Sequence, residues 1–508
     1  MRAPEGDSLH SCDGLGELRA LLGGPATTLY DSRGLMISSS LMVGKRTSFA
    51  PEILLPLERA PGRRPRTQIE ERLRTAIRAG TLSPGTALPS TRLLAGDLGL
   101  SRGVVVEAYA QLVAEGYLEA RGGSVTRVAA HARQGASVGA DAKEAVRPRY
   151  NFRPGAPDPS LFPRGEWIAS VRAALRDAPD AALGYGDARG PAPLRTALAG
   201  YLGRVRGVVA DSERIVICTG FTQGLVLLGH VLRALGMDCV AVEDPSHPEQ
   251  RLLIEHAGMR TIPVAVDGDG IRVDELVRGE ARAVLVTPAH QFPLGVVLAP
   301  ARRAALLAWA RDRKALVLED DYDAEYRYDR APIGALQGVA PEQVLYAGSA
   351  SKMLAPALRL GWLVLPAGLV DAVAAIKYRS DLGSPAIEGL AFAHFLGSGG
   401  LDRHLRRVRP RYRARRDALV AALGRHIPAA RVRGIAAGLH ALVELPAGCD
   451  ERALVAEAAR HGIGIYGVST YHASGIAAQP ALVLGYAALP EPAIEAGIAE
   501  LGRLISAG

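Results

Sequence analysis

The sequence predicts an α/β multidomain protein, in which a small helical module precedes a larger domain with a mostly parallel sheet and helices on both faces. Two observations support this fold class. Between residues 51 and 128, short amphipathic segments precede a Gly-Gly turn. From Tyr150 onward, short β-branched runs alternate with amphipathic stretches, a pattern typical of strands joined by crossover helices.

Composition excludes several classes of protein. The chain has 508 residues, of which 48% are hydrophobic and 22% charged, enough for about three globular domains. It contains no apolar run of about 18 residues and no signal peptide at its N-terminus, so we expect no membrane partner and a cytoplasmic location. The four cysteines lack metal-ligand spacing, which predicts reduced thiols and no metal site. The net charge of +8 permits nucleic-acid binding without indicating it.

The chain divides into four segments. Residues 1–50 are rich in Gly and Ser without a sustained period, and we expect a disordered arm. The start of translation stays open among Met1, Met36 and Met42. Residues 51–128 form the first compact segment, 129–149 are small and charged as in a linker, and 150–508 form the larger domain.

The first compact segment contains three helix patterns and a hairpin pattern. Apolar residues from Gln68 to Arg78 form a stripe on one helix face. Ser90 is expected to cap a second helix, which Gly99 ends, and Ser101 to cap a third. The buried residues expected on the last two helices are Leu93, Leu94, Leu98, Val105, Ala108, Tyr109 and Leu112. Such helices predict a helix-turn-helix, although the pattern alone leaves a small packing domain equally open.

Specific strings decide between these alternatives. They are Leu88–Arg92, Leu98–Arg102, Ala108-Tyr109 and Glu115–Leu118, and together they resemble the winged helix-turn-helix of the GntR family of bacterial regulators. The resemblance implies binding to double-stranded operator DNA by the helix that begins at Ser101, with the wing in the minor groove. The DNA-binding residues it implies are Ser90, Arg92, Ser101, Arg102, Gly103, Arg121, Gly123 and Ser124. Val104 and Val125 depart from the family pattern, which affects affinity or operator choice rather than the fold.

In the larger domain, four short apolar runs predict strands buried in a parallel sheet. They are Ile215–Ile217, Val240–Val242, Ala283–Val286 and Leu316–Leu318. The turn Thr219–Gly224 follows the first of them and offers backbone N–H groups and a helix N-terminus to a phosphate.

Lys352 is the most informative residue of this domain. It is one of five lysines among sixty basic residues, and an amine can form a Schiff base where a guanidinium cannot. Asp320 ends an apolar run upstream, and Arg359 lies shortly downstream. A carboxylate for a pyridinium nitrogen, an amine for an aldehyde and a guanidinium for a phosphate are the contacts that pyridoxal 5'-phosphate (PLP) requires.

The order of these motifs resembles that of the fold-type I aminotransferases. Their residue sequences resemble those of the MocR-type regulators, in which a GntR winged helix is joined to an aminotransferase-like domain. The strings that carry the resemblance are Tyr185–Asp187, Glu243–Pro245, Thr287–Pro293, Glu319–Tyr326, Ser349–Lys352, Leu358–Gly361 and Leu484–Ala487. It implies a PLP-dependent transferase fold of type I, with a smaller C-terminal α+β subdomain from about residue 400, and a homodimer.

The resemblance also implies roles for single residues. Lys352, the catalytic residue, would form the internal aldimine, Asp320 would bind the pyridine nitrogen and Tyr322 the phenolic oxygen. The residues implied for the phosphate are Gly220, Phe221, Thr222, Ser349 and Arg359. His290 and Gln291 are expected to supply further ring contacts. Asp321 stays open as an alternative to Asp320, although the two-residue step from Asp320 to Tyr322 places both side chains on one face.

Two departures from the aminotransferase pattern concern the ligand. His247 stands where relatives have an aromatic residue that stacks on the cofactor. Val483 stands where aminotransferases have the Arg that binds a substrate carboxylate, and no Arg occurs between Arg460 and Arg503. The remaining ligand candidates are Tyr185, Tyr471 and His472.

We therefore expect a PLP-dependent regulator that binds operator DNA and senses PLP or a small amine through Lys352. An active class I/II-type aminotransferase that carries a DNA-binding domain is the alternative, and residual aminotransferase activity stays open. A relic pocket without a cofactor is a third hypothesis. The sequence names neither the effector, nor the operator, nor the sign of regulation.

Overall fold

The computed structural model describes residues 64–120, 125–130, 148–328 and 333–507. The chain forms two compact units, Met1–Glu144 and Ala145–Gly508. The expected N-terminal arm, most of the expected linker and the wing residues Arg121, Gly123 and Ser124 lie outside the described residues. No described helix is long and apolar enough to cross a bilayer.

The first unit consists of three helices and a two-stranded antiparallel sheet. Its elements are α1 (Pro65–Arg78), α2 (Thr91–Leu98), α3 (Arg102–Ala114), β1 (Leu118–Glu119) and β2 (Arg127–Val128). The strands pair Leu118 with Val128, which fixes the base of the predicted wing. This arrangement confirms the helix-turn-helix predicted from the sequence.

The first unit is held by one small apolar core. Ile69, Leu73 and Ile77 of α1 and the predicted face of α3 are buried together. The Ser90 hydroxyl accepts the N–H of Leu93 at 3.2 Å, so it caps α2 as predicted.

Two details of the helix prediction were wrong. Leu93 is exposed rather than buried, because it follows Arg92 on the solvent side of α2. The Ser101 hydroxyl makes no capping hydrogen bond, since the N–H of Val104 is bonded to the Ser101 carbonyl.

The second unit contains the remaining elements. Up to the middle of the sheet they are β3 (Tyr150–Asn151), α4 (Arg164–Asp177), α5 (Ala192–Arg206), β4 (Ile215–Cys218), α6 (Phe221–Ala234), β5 (Cys239–Asp244), α7 (Pro248–His256), β6 (Arg260–Asp267), β7 (Gly270–Ile271), α8 (Val273–Arg278), β8 (Ala283–Val286), α9 (Pro300–Asp312) and β9 (Leu316–Asp320). They continue with β10 (Val344–Ser349), α10 (Ala350–Met353), β11 (Gly361–Val364), α11 (Val370–Asp381), α12 (Ala386–Gly397), α13 (Gly400–His426), β12 (Arg431–Arg433), β13 (His440–Glu444), α14 (Glu451–Arg460), β14 (Ile463–Gly464), β15 (Ala481–Gly485) and α15 (Glu491–Ala507).

Eight strands form the main sheet in the order β4-β11-β10-β9-β8-β5-β6-β7. The five strands from β10 to β6 are parallel to one another, as the sequence predicts. The prediction of a parallel neighbour was wrong for β4, whose partner β11 is antiparallel to both β4 and β10. The reason is that the chain returns from β10 to β11 at the same end of the sheet, where Ser349 pairs with Gly361.

Side chains of the central strands alternate between two apolar layers, as expected for a sheet covered on both faces. In β8, Ala283 and Leu285 pack in one layer, while Val284 and Val286 pack in the other. Because the parallel strands share one direction, their carboxyl ends lie along one edge, where ligands of such sheets bind.

The C-terminal part forms a smaller α+β assembly. An antiparallel sheet in the order β12-β13-β15 packs with α13, which begins at Gly400, and with α15. The mostly parallel sheet and this smaller sheet together confirm the predicted fold class.

Candidate functional site

A cavity of about 260 Å³ lies at the carboxyl ends of the main-sheet strands. It is lined by residues that follow β4, β5, β8, β9 and β10. The residues predicted for the site that line it are Phe221, Thr222, His247, Asp320, Tyr322, Ser349, Lys352 and Arg359. The structure therefore brings most of the predicted residues into one cavity.

Lys352 projects from the short helix α10 at the end of β10. Burial lowers its pKa from the usual 10.5, and Arg153 contributes, while Asp323 and Asp320 oppose the change. A lysine with a lowered pKa more readily supplies the neutral amine that attacks an aldehyde. Gly155, at φ +65°, leaves room for this amine, because a β-carbon there would lie 3.4 Å from Nζ.

The two neighbouring carboxylates point to opposite sides of β9. Asp320 lines the cavity, where burial and the charge of Asp321 raise its pKa well above the usual value. Asp321 is bonded instead to Arg206, with 2.6 and 3.0 Å between oxygen and nitrogen atoms, and to the Tyr346 hydroxyl at 2.6 Å. Only Asp320 is therefore placed to bind a ligand in the cavity.

Gln250 is a site residue that the sequence analysis missed. Its Nε2 donates to Asp320 Oδ2 at 2.9 Å from the first turn of α7. This bond orients the carboxylate toward the cavity. The sequence offers one signal for it, a polar side chain three residues after His247, and that signal is too common to single the residue out.

A corner whose chemistry suits an anion lies at the start of α6. Gly220, at φ +82°, precedes the helix, and Phe221 and Thr222 present its first turn to the cavity. The Arg359 guanidinium donates to the Thr219 carbonyl at 2.9 Å. Gly220 itself does not line the cavity, but a β-carbon there would lie 2.7 Å from Arg359 Nη2, so only glycine allows this approach.

His247 packs beside the cavity against Phe292, with ring centres 5.5 Å apart. Its Nδ1 accepts the N–H of Glu249 at 3.3 Å. Burial, followed by the charge of Lys352, lowers its pKa, which favours the neutral imidazole. The neutral ring offers a flat face to a ligand.

The structure does not bring His290 and Gln291 to the cavity. Gln291 Nε2 donates to the carbonyls of Pro245 and Phe292, both at 2.8 Å, and its Oε1 accepts the N–H of Leu294. Its polar atoms are thus used in holding two loops together. His290 lies behind Tyr322, within reach of the Tyr322 hydroxyl at 3.1 Å.

The three ligand candidates also lie outside the cavity lining. Tyr185 is 86% exposed. Tyr471 is buried edge-on against Phe292, with ring centres 5.2 Å apart. His472 lies 3.7 Å from Asp244 Oδ1 and is half-buried. Val483 is fully buried in β15, so it offers no group to a ligand.

His290, Asp323 and His440 form a buried group whose potential ligand atoms all lie within 4.8 Å of one another. No metal site is predicted from the sequence, because these three residues lie far apart in the chain.

The first unit places its predicted DNA-binding residues differently. Ser90, Arg92, Ser101, Arg102 and Gly103 are all exposed around the starts of α2 and α3. Arg92 and Arg102 form no ion pair with any described carboxylate, unlike Arg74, which is paired with Glu115 at 2.8 Å. Both guanidinium groups are therefore available to an external anion.

Comparisons with known proteins assign the two units to two different families. The family described as bacterial regulatory proteins, gntR family, matches residues 65–128, and the family aminotransferase class I and II matches residues 161–468. The regulator PdxR of pyridoxine biosynthesis from Corynebacterium glutamicum is 34% identical, covering 87% of this chain and 96% of that protein. The chain belongs to the MocR-type regulators of the GntR family. The probable rhizopine catabolism regulator MocR of Rhizobium meliloti is 31% identical, over 85% of this chain and 92% of that relative.

Solved structures resemble the aminotransferase-like unit of this MocR-type regulator. A kynurenine aminotransferase from Pyrococcus horikoshii is 26% identical with a TM-score of 0.65, covering 70% of this chain and 90% of that one. The α-aminoadipate aminotransferase of Thermus thermophilus, complexed with N-(5'-phosphopyridoxyl)-L-leucine, is 28% identical with a TM-score of 0.63, over 70% and 92% of the two chains.

The cofactor of this regulator is PLP, and the cavity fits it. An amine with a lowered pKa, a buried carboxyl group with a raised pKa and a helix N-terminus beside a guanidinium match an aldehyde, a pyridinium and a phosphate. When bound, PLP supplies an electrophilic aldehyde and a ring that withdraws electrons. The PLP-dependent regulator predicted from the sequence is thus favoured over the aminotransferase alternative.

Proposed function

We propose that this regulator binds operator DNA through α3 and binds PLP through Lys352, and that occupancy of the cavity changes its affinity for DNA. One observation carries the proposal: Lys352, Asp320 and Arg359 converge on one cavity in a chain whose first unit exposes unpaired arginines beside α3. A ligand shifts an equilibrium only by its different affinities for the two states, so cofactor binding must favour one DNA-binding state.

Each cavity residue has a proposed role. Lys352 binds the aldehyde carbon, and Asp320, oriented by Gln250, holds the pyridine nitrogen protonated. The neutral His247 packs on the ring face. Arg359 and the N–H groups at the start of α6, together with Thr222 and Ser349, bind the phosphate. Tyr322 donates to the phenolic oxygen.

In the DNA-binding unit, α3 is the proposed recognition helix. Arg102 and Gly103 occupy its first turn and are exposed, which suits entry of its N-terminal end into the major groove. Arg92, on α2, is proposed to contact the phosphate backbone of the DNA, where a guanidinium positions the protein without selecting a base sequence. The wing residues Arg121, Gly123 and Ser124 are proposed to reach the minor groove.

The regulator is proposed to act as a cytoplasmic homodimer on a two-part operator. Several large apolar side chains are exposed on the second unit, and a dimer interface that includes them would remove their apolar area from water. They include Leu175, Leu183, Tyr185, Tyr378 and Leu382. Light scattering should give about twice the chain mass of 53.5 kDa.

The experiment that tests the proposed function links the two units. Duplexes are first selected from a randomised pool by the full-length protein, and their affinity is then measured with and without PLP. We expect PLP to change the affinity of the wild-type protein and to leave that of Lys352→Ala unchanged. Failure to select any duplex, or an equal PLP effect in the variant, would remove the proposal.

A working aminotransferase remains the second candidate, because one relative, a 2-aminoadipate transaminase from Thermus thermophilus, is 30% identical over 70% of this chain and 89% of that enzyme. Against it stands Val483, buried where a carboxylate-binding Arg is expected. Common α-amino acids should therefore give no keto acid at enzymic rates. Sustained keto-acid release in a coupled assay would favour the enzyme instead.

A further inference from the structure

Tyr322 forms part of the cavity wall, but its hydroxyl is in contact with a buried pair behind it. His290 Nδ1 lies 3.1 Å from the Tyr322 hydroxyl and 2.9 Å from Asp323 Oδ2. The side chains of His290 and Asp323 are only 3% and 2% exposed. His290 therefore contacts Tyr322, which lines the cavity, rather than the cofactor ring that the sequence led us to expect.

The carboxylate determines which way these hydrogen bonds run. An ionised Asp323 only accepts, so a neutral His290 must carry its proton on Nδ1. The same N–H then points between the carboxylate and the phenol oxygen, which accepts. Burial, followed by the charges of Asp323 and Asp320, raises the pKa of Tyr322 well above the usual value, so its own proton is retained. Two acceptors compete for that proton, the Asp323 carboxylate and a ligand in the cavity.

The packing behind His290 leaves it little freedom. Gly438, at φ +70°, lies so close that a β-carbon there would be 2.4 Å from His290 Cε1 and from Asp323 Oδ2. The His440 ring packs 5.1 Å from the His290 ring, and burial lowers its pKa well below the usual value, so it stays neutral. Other ionisable groups face this network from neighbouring elements: Glu243, Asp320, Lys352, Arg206, Arg327, Tyr328 and Tyr486.

We propose that His290 is a positioning residue: it donates its Nδ1–H to the Tyr322 oxygen and so directs the Tyr322 proton at the phenolic oxygen of bound PLP, while Asp323 fixes the tautomer. This inference rests on the proposed binding of PLP at Lys352. A phenol that accepts one hydrogen bond donates a stronger one, because bonds in a chain polarise each other.

The consequence is a measurable shift in the pH at which the visible band of bound PLP changes. A hydrogen bond to the phenolic oxygen favours its anionic form and lowers that midpoint. Loss of a bond worth about 1 kcal/mol raises it by roughly half to one pH unit. His290→Leu leaves the Tyr322 hydroxyl in place but no longer polarised by His290, so it is expected to show a rise no larger than this in a spectral titration of the full-length protein with PLP.

Matched variants separate positioning from folding. His290→Asn retains an N–H close to the place of Nδ1 and should restore the wild-type midpoint. His290→Gln places its amide near Nε2 and should resemble His290→Leu, which supplies a second loss variant if Leu impairs folding. His461→Asn changes an exposed histidine directly after α14, which does not line the cavity, and should have no effect.

A double-mutant cycle tests whether His290 acts through Tyr322. Tyr322→Phe alone should raise the midpoint, and adding His290→Leu should raise it no further. An additional shift in the double variant, or a wild-type midpoint in His290→Leu and His290→Gln, would overturn the proposal. A midpoint that moves when the wild-type protein is treated with a chelator would replace it with a cation held by His290, Asp323 and His440. Absence of any band in the wild type would instead refute the proposed function itself.

Discussion

The two units place their functional side chains in opposite environments. In the first unit, Arg92 and Arg102 are exposed and lie apart from the buried α1–α3 core. In the second, burial raises the pKa of Asp320 well above its usual value and lowers the pKa of Lys352. The difference teaches that substitutions at the DNA contacts should leave folding unchanged, whereas substitutions of buried carboxylates can change stability in a direction that depends on whether the carboxylate is paired.

The largest expected effect tests the buried site directly. Lys352→Ala removes the amine, so the visible band of covalently bound PLP should be lost completely, as measured in an absorption spectrum with added PLP. Lys314→Ala is the matched control, because Lys314 is exposed and does not line the cavity. A band of wild-type position and height in Lys352→Ala would show that the cavity binds PLP by other means.

The two adjacent carboxylates sharpen the comparison within the buried site. Asp321→Asn breaks the buried pair with Arg206 and should lower the free energy of unfolding by about 3 to 5 kcal/mol. Asp320→Asn should change the free energy of unfolding by less than about 1 kcal/mol or raise it, because burial disfavours the Asp320 charge. Its affinity for PLP should fall.

Denaturation followed by tryptophan fluorescence measures this contrast, because Trp167, Trp309 and Trp362 all lie in the second unit. Equal destabilisation by the two substitutions would contradict the division of roles between Asp320 and Asp321.

The exposed site should behave in the opposite way. Replacing Arg92 and Arg102 together with Ala is expected to weaken operator binding about a hundredfold, since each charge-assisted bond contributes about 1.5 kcal/mol or more. The salt dependence should flatten by about one unit of slope per lost phosphate contact. Unfolding should be unchanged, and unaltered binding across a salt titration would remove α3 from the DNA interface.

The smallest expected effect concerns pH. Burial raises the pKa of Glu243 from 4.5 to about 7. The folded protein therefore binds a proton more tightly than the unfolded chain, and this stabilisation is present at low pH and lost as pH rises through 7. Between pH 5 and 8 the loss is about 2 kcal/mol. Glu243→Gln should remove this pH-dependent change in the free energy of unfolding. The matched substitution of the exposed Glu71 by Gln should leave the change as it is in the wild type.

Motif order was sufficient to predict the fold class and the cavity's main residues, because Lys352, Asp320 and Arg359 follow strands whose ends must meet along one edge. Contacts between residues far apart in the chain could not be predicted, because they depend on the direction in which each side chain points. Gln250 reaches Asp320 from another helix, and His290 lies behind Tyr322 rather than beside the ring. The antiparallel β11 was missed because the strand pattern carries no information on chain direction.

The connection from β10 to β11 carries both Lys352 and Arg359, and it is closed at its base by the pairing of Ser349 with Gly361. The Lys352 amine and the Arg359 guanidinium therefore lie on one connection, whose two ends are hydrogen-bonded to each other, rather than on two independent loops. An insertion or deletion inside this segment would displace both groups at once, so related chains that bind the same cofactor must keep its length even where its sequence varies.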